Sequence, residues 1–139
     1  MSSIVQTQTT SFKAELYEGI HNLLTDEIKI ALYTAEANLN EATTAYSSDN
    51  EVSGTGYSPG GVVMSGITIN TSGYTAYVGF NDVVFNASVT ARCALIYNNT
   101  VAGQPSIAVL DFGSDKTSTN FTITMPANTA TSALIRSSV

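Results

Sequence analysis

Two apolar runs, VTARCALIY at Val89–Tyr97 and IAVLDF at Ile107–Phe112, leave few choices for the fold. Each is too short for a buried helix and rich in β-branched or aromatic residues, so both read as strands. In the first, Val89, Ala91, Cys93, Leu95 and Tyr97 alternate with Thr90, Arg92, Ala94 and Ile96. In the second, Ile107 and Val109 alternate with Ala108, Leu110 and Phe112. A strand shows successive side chains to opposite faces, and neither run reserves a face for polar residues. Strands of that kind are covered on both sides, toward the middle of a sheet. The loop between them holds Asn98, Asn99, Gly103 and Pro105, which makes the two runs antiparallel neighbours with Leu95, Ile96, Val109 and Leu110 buried.

The rest of the chain supplies short strands around this pair. Met1–Thr10 offers only Ile4 and Val5 to pack, so residues 1–11 read as an extended arm preceding a single domain, 12–139. Ser11 is positioned to cap one short helix, Phe12 to about Ile20, with Phe12, Leu16, Ile20 and Leu23 at helical spacing. Ile28–Thr34 alternates as a strand, and Ala35–Gly61 is a long polar stretch dense in turn residues. A loop of that length in a small domain is either a binding surface or ordered by a partner. Further strands are read at Val62–Asn70, Tyr74–Phe80, Val83–Phe85, Phe121–Met125 and Ala133–Arg136, with a tight hairpin at Thr71-Ser72-Gly73. About eight short strands and one N-terminal helix predict an all-β, jelly-roll-like β-sandwich.

Composition narrows the partners. Only 12% of the 139 residues are charged, against roughly 25% in an average domain. Ser, Thr and Asn build the polar faces instead. A net charge of -6 with five Lys plus Arg gives no basic footprint for nucleic acid or an anionic membrane. The N-terminus lacks the basic and apolar regions of a secretory signal, and no run reaches the ~18 apolar residues of a membrane span. The expectation is a soluble protein of a cytoplasm or of something assembled there. Cys93 stands alone, mid-strand, and reads as a small buried hydrophobe.

No motif carries catalysis. His21 is the one histidine, with Asp26 nearby, yet no nucleophile elbow accompanies it, so it reads as a structural or surface residue. GTGYSPGG lacks the lysine and following helix of a phosphate loop and reads as a conformationally demanding turn. Asp49, Asn50 and Glu51 lack the alternating ligand spacing of a calcium site. Asp111 interrupts an apolar strand, so it must be hydrogen-bonded or lie at the strand end by Gly113; as an acid–base pair with Asp115 it has no supporting sugar site. No metal, cofactor or enzymatic activity is expected.

Three segments carry a family resemblance: FKAELYEGIHNLLTDEIKIALYT (Phe12–Thr34), TTAYSSDNEVSGTGYSPGGV (Thr43–Val62), and ARCALIYNNT with IAVLDFGSD (Ala91–Asp115). With the closing FTITMPANTATSALIRSS, they resemble a family of small virion proteins encoded beside capsid genes in tailed bacteriophages. The resemblance implies capsid cement or decoration: a jelly-roll-like subunit, often a homodimer, that clamps neighbouring copies of the major capsid protein on the outside of the head. Its signatures are structural and hold no catalytic residue. A receptor- or glycan-binding module of a phage tail or neck is the competing reading, and an enzyme the third. For the partner interface the sequence points to the arm and the loop: Ile4, Val5, Tyr46, Glu51 and Tyr57. Tyrosine presents a large amphipathic ring at low entropy cost, and the loop's glycines permit close backbone approach.

Overall fold

The structure is a computed structural model and describes residues 5–137. Its elements run β1 (Val5–Gln8), α1 (Thr10–Tyr17), β2 (Ile28–Tyr33), β3 (Val62–Val63), β4 (Thr68–Ser72) and β5 (Thr75–Gly79). They continue with β6 (Val83–Phe85), β7 (Val89–Asn98), β8 (Ser106–Ser118), β9 (Phe121–Ile123) and β10 (Ile135–Ser137). A five-stranded antiparallel sheet has the order β1-β8-β7-β2-β3; smaller sheets have the orders β10-β5-β4 and β6-β9. One face of the large sheet, carrying Ile30, Leu32, Ala94, Ile96, Leu110 and Phe112, packs with Val78, Phe85, Phe121, Ile123 and Ile135 of the smaller ones. Phe121 binds the layers together, with its ring 5.7 Å from Phe112 and 6.5 Å from Phe85. The all-β sandwich with one short helix is therefore present.

The central pair is as the apolar runs dictate. β7 and β8 are antiparallel, Leu95 opposite Val109 and Ile96 opposite Ala108, and all of these are buried. The simple alternation, however, fails at two bulges. Between Ala91 and Cys93 the register jumps from Lys116 to Asp111. Extra residues on one strand rotate the pleat. Val89 and Ala91 therefore share the main core with Ala94 and Ile96, while Cys93, Leu95 and Tyr97 face the other way. A second shift between Ile96 and Tyr97 turns Ile107 into the main core beside Ala108. Gly113, at φ 82°, carries β8 through the first bulge, so the strand continues to Ser118 instead of stopping at Phe112.

A second cluster occupies the opposite face of the large sheet: Ala31, Tyr33, Cys93, Leu95, Tyr97 and Val109. Its cover is the long segment between β2 and β3, through Ala37, Leu39 and Tyr46. Backbone bonds moor this segment: Tyr46 N–H donates to Gln104 O (2.9 Å), Thr34 N–H to Asn50 O (2.9 Å) and Val52 N–H to Leu32 O (3.0 Å). The stretch that reads as a loop is thus a roof. Beneath it Cys93 is buried, and burial pushes its thiol up to about 11.

Two readings of the N-terminal region need correction. Residues 5–8 are an edge strand and not part of an extended arm: Val5 lies opposite Asp111 and Gln8 opposite Ala108. β8 has an open edge there, and backbone pairing needs no apolar side chains. The helix begins two residues earlier than the sequence indicates, because Thr9 caps it by accepting from Phe12 N–H at 3.4 Å. Its end is a Schellman turn around Gly19 (φ 72°), with Gly19 N–H to Leu16 O and Ile20 N–H to Glu15 O. Ile20 consequently falls past the helix. Of the helical stripe Phe12, Leu16, Ile20 and Leu23, only Phe12 and Leu23 are buried.

Candidate functional site

The sequence-derived interface residues separate into two groups. Ile4 lies outside the described residues, and Val5 is placed by its backbone in β1. Tyr46, Glu51 and Tyr57 come together, but inward. The phenol hydroxyls of Tyr46 and Tyr57 donate to separate oxygens of the Glu51 carboxylate, and Gly60 N–H donates to one of them at 2.8 Å. Tyr57 also accepts from Leu32 N–H (3.0 Å) and stacks on Phe85. Tyr46 stacks on Tyr97 with centroids 4.6 Å apart; Tyr97 donates to Gly60 O and Tyr33 to Ser47 O, each at 2.7 Å. One carboxylate and four phenols therefore fasten the roof to the sheet. The glycines serve the same closure: a Cβ on Gly61 (φ 82°) would lie 1.8 Å from Ile30 O. The close approach they permit is to this chain itself: Gly61 to β2, and Gly54 and Gly56 to the backbone of Ser88 and Asn86.

Burial first, and the neighbouring Glu51 carboxylate second, push the Tyr33, Tyr46, Tyr57 and Tyr97 phenols up, Tyr97 to about 12. The folded protein holds these protons more tightly than the unfolded chain does. The contribution is therefore complete below about pH 10, the ordinary phenol value, and is lost as pH rises above it. Unfolding in urea is expected to become easier through that alkaline window, with phenolate absorbance of the four rings rising together with loss of the fold. Ionisation of all four in a protein whose circular dichroism stays native would contradict this.

His21 is structural. Its side chain is fully enclosed, with Nε2 2.9 Å from Glu15 Oε1 and Nδ1 3.1 Å from Asn98 Nδ2. Asn98 also donates to Asp26 Oδ2 (2.8 Å), so its amide places an N–H against Nδ1, and the Nε2 proton points to Glu15. The Asn22 N–H, then the Asn98 amide, hold Asp26 below the usual carboxylate range. This network joins α1 and its following turn to the end of β7. Asp111 accepts from Gly113 N–H (2.8 Å) and from Arg92 Nε (3.2 Å), in that order depressing its pKa. It braces the bulge. Among the described residues no group of three or more His, Cys, Asp or Glu gathers as a metal site, and no helix is long and apolar enough to cross a membrane.

What the sequence reading missed is an exposed apolar patch. Leu16, Tyr17, Ile20 and Leu24 lie on α1 and the turn after it, with Tyr17 94% and Leu24 62% exposed. Leu16 stands between two grooves. One runs beside Tyr17, Lys13, Leu134 and Arg136; the other is lined by Leu23, Ile69, Val78 and Ile135. The available signal was Gly19: a helix stopped there cannot carry Ile20 round to the core. A third concavity, between the roof and β7–β8, is lined mainly by hydroxyls, among them Ser53, Ser88, Thr90 and Thr117. No family model, curated protein or solved structure matches this chain.

Proposed function

We propose that this chain is a non-enzymatic virion protein that lies on the outside of a phage head and cements neighbouring major capsid subunits. The observation that carries the reading is the patch of Leu16, Tyr17, Ile20 and Leu24 on a domain whose sheet is already roofed on both faces by its own chain. Four exposed apolar side chains within nine residues of sequence, one of them an almost fully exposed tyrosine, support reading this stretch as a protein-binding surface. Few charges lie elsewhere on the surface, and the acidic net charge keeps such a protein off packaged nucleic acid. Weak contacts repeated over a shell become a durable hold by multivalency. Of the segments that resemble phage head proteins, Phe12–Thr34 includes the patch itself, while the more specific matches lie in the loop and the central hairpin. Homodimers and the major capsid protein are the partners in this reading, and the virion exterior its location.

The test is retention. Tyr17→Ala combined with Leu24→Ala is expected to leave the melting temperature nearly unchanged, since neither side chain is buried. The same protein is expected to wash off purified heads on warming, where the wild type stays. Retention equal to wild type would overturn the placement of the interface. The hydroxyl-lined concavity favours a second reading, a glycan-binding module of a tail or neck. Copy number per particle separates the two: a count matching the shell subunits supports cement, one matching a tail or neck supports the module.

A further inference from the structure

We propose that the outer edge of β4 is a self-pairing surface, on which β4 of a second copy of this chain adds antiparallel across a two-fold axis. β4 ends the β10-β5-β4 sheet, all five of its residues are exposed, and among the described residues nothing pairs with its outer side. The β4–β5 hairpin closes with Ser72 opposite Thr75 across Gly73-Tyr74. In a two-residue hairpin the closing residues exchange hydrogen bonds, and the pattern alternates from there. Ser72, Asn70 and Thr68 thus bond to β5, while Ile69 and Thr71 turn their N–H and C=O groups outward. A two-fold axis through Asn70 sets Ile69 against Thr71 of the second copy, and both pairs exchange two backbone bonds. An isologous contact closes on itself at two chains.

Charge selects this occupant and this edge. Proteins that must keep an edge unpaired place charges, prolines or bulges on it. β4 has none of these, and the sequence from Val52 to Asn81 carries no Asp, Glu, Lys or Arg. Two copies at net charge -6 repel elsewhere and meet least opposition here. Ile69, 48% exposed, also lines the groove with Leu16 and Val78, so an added strand covers apolar surface as well as backbone. The inference deepens the dimeric part of the cementing reading, yet needs no capsid. The two readings are tested apart: pairing is read on the isolated chain in solution, head binding by retention on purified heads.

Sedimentation equilibrium of the full chain across the micromolar range is the test. The wild type is expected to form a reversible dimer. Ile69→Lys, which puts a like charge on both sides of the axis, is expected to be monomeric with an unchanged melting curve. Thr71→Pro removes an outward N–H and does the same by another route. Val84→Lys, at an exposed position of β6, is expected to remain dimeric. Asn70→Cys supplies a readout that tolerates weak pairing: on the axis, two such residues are close enough for a disulfide. In a Cys93→Ala background, Asn70→Cys is expected to cross-link under mild oxidation far faster than Val84→Cys. A wild-type monomer throughout together with equal cross-linking rates, or a dimer that survives both β4 variants, would overturn the proposal.

Discussion

Leu95→Ala is expected to lower the unfolding free energy by about 2–5 kcal/mol, the cost of truncating a fully buried leucine. Leu95 has no exposed surface and sits among Tyr33, Tyr97 and Val109 under the roof. Its neighbour Ile96, equally buried, faces the smaller sheets. The two substitutions probe opposite covers of one strand. The cost of a cavity depends on how far its walls collapse. Irregular chain over Leu95 settles more readily than the paired strands opposite Ile96, so Ile96→Ala is expected to lose more. Urea denaturation with an unchanged slope reads both values. A Leu95→Ala loss under about 1 kcal/mol would mean that the long segment does not pack on this face.

The second large effect belongs to Glu51. Glu51→Ala removes the acceptor for Tyr46, Tyr57 and Gly60 N–H at once. One hydrogen bond to a charged group is worth about 1.5–3 kcal/mol, which is the smallest loss expected here. Glu51→Gln is expected to lose less. Its carbonyl oxygen serves the Tyr57 and Gly60 donors, while its amide donates to the Tyr46 hydroxyl, which accepts instead. Because the phenols act through the one carboxylate, Tyr57→Ala added to Glu51→Ala is expected to cost less than it does in the wild type. Hydrogen exchange locates the damage: the amides of Val52 and Gly60 lose protection, while those at the β7–β8 centre keep theirs. Glu51→Ala within about 0.5 kcal/mol of wild type would put the cluster outside the stabilising contacts.

This pair of expectations reverses what Tyr46 and Tyr57 signify in the sequence. Glycine-flanked tyrosines in a polar loop have the composition of a contact surface. The same composition also serves a chain that must pass close over a sheet and satisfy hydroxyls beneath it. Only the position of Glu51, opposite Tyr33 across an isolated bridge, decides between them. The exposed patch reverses in the other direction. Leu16 and Ile20 have helical spacing suited to a core, yet both lie at the surface, Ile20 because the Schellman turn at Gly19 ends the helix before it.

The sequence by itself determined most of the strands, because periodicity and turn residues act locally; Val62–Asn70, which reads as one strand, divides into β3 on the large sheet and β4 on a smaller one. The β7–β8 pair, the hairpin at Gly73, the lone buried thiol and the two-sided cover of the central strands were all legible there. It even required a second cover without saying what provides it. Tertiary structure decided what depends on partners distant in sequence. The roof over Leu95, the bulges that rotate β7 at Arg92, and the pairing of residues 5–8 with β8 each join segments that no local pattern connects. The reason is physical: a strand's faces are set by its own alternation, but its cover and its edges are set by whichever segment satisfies them.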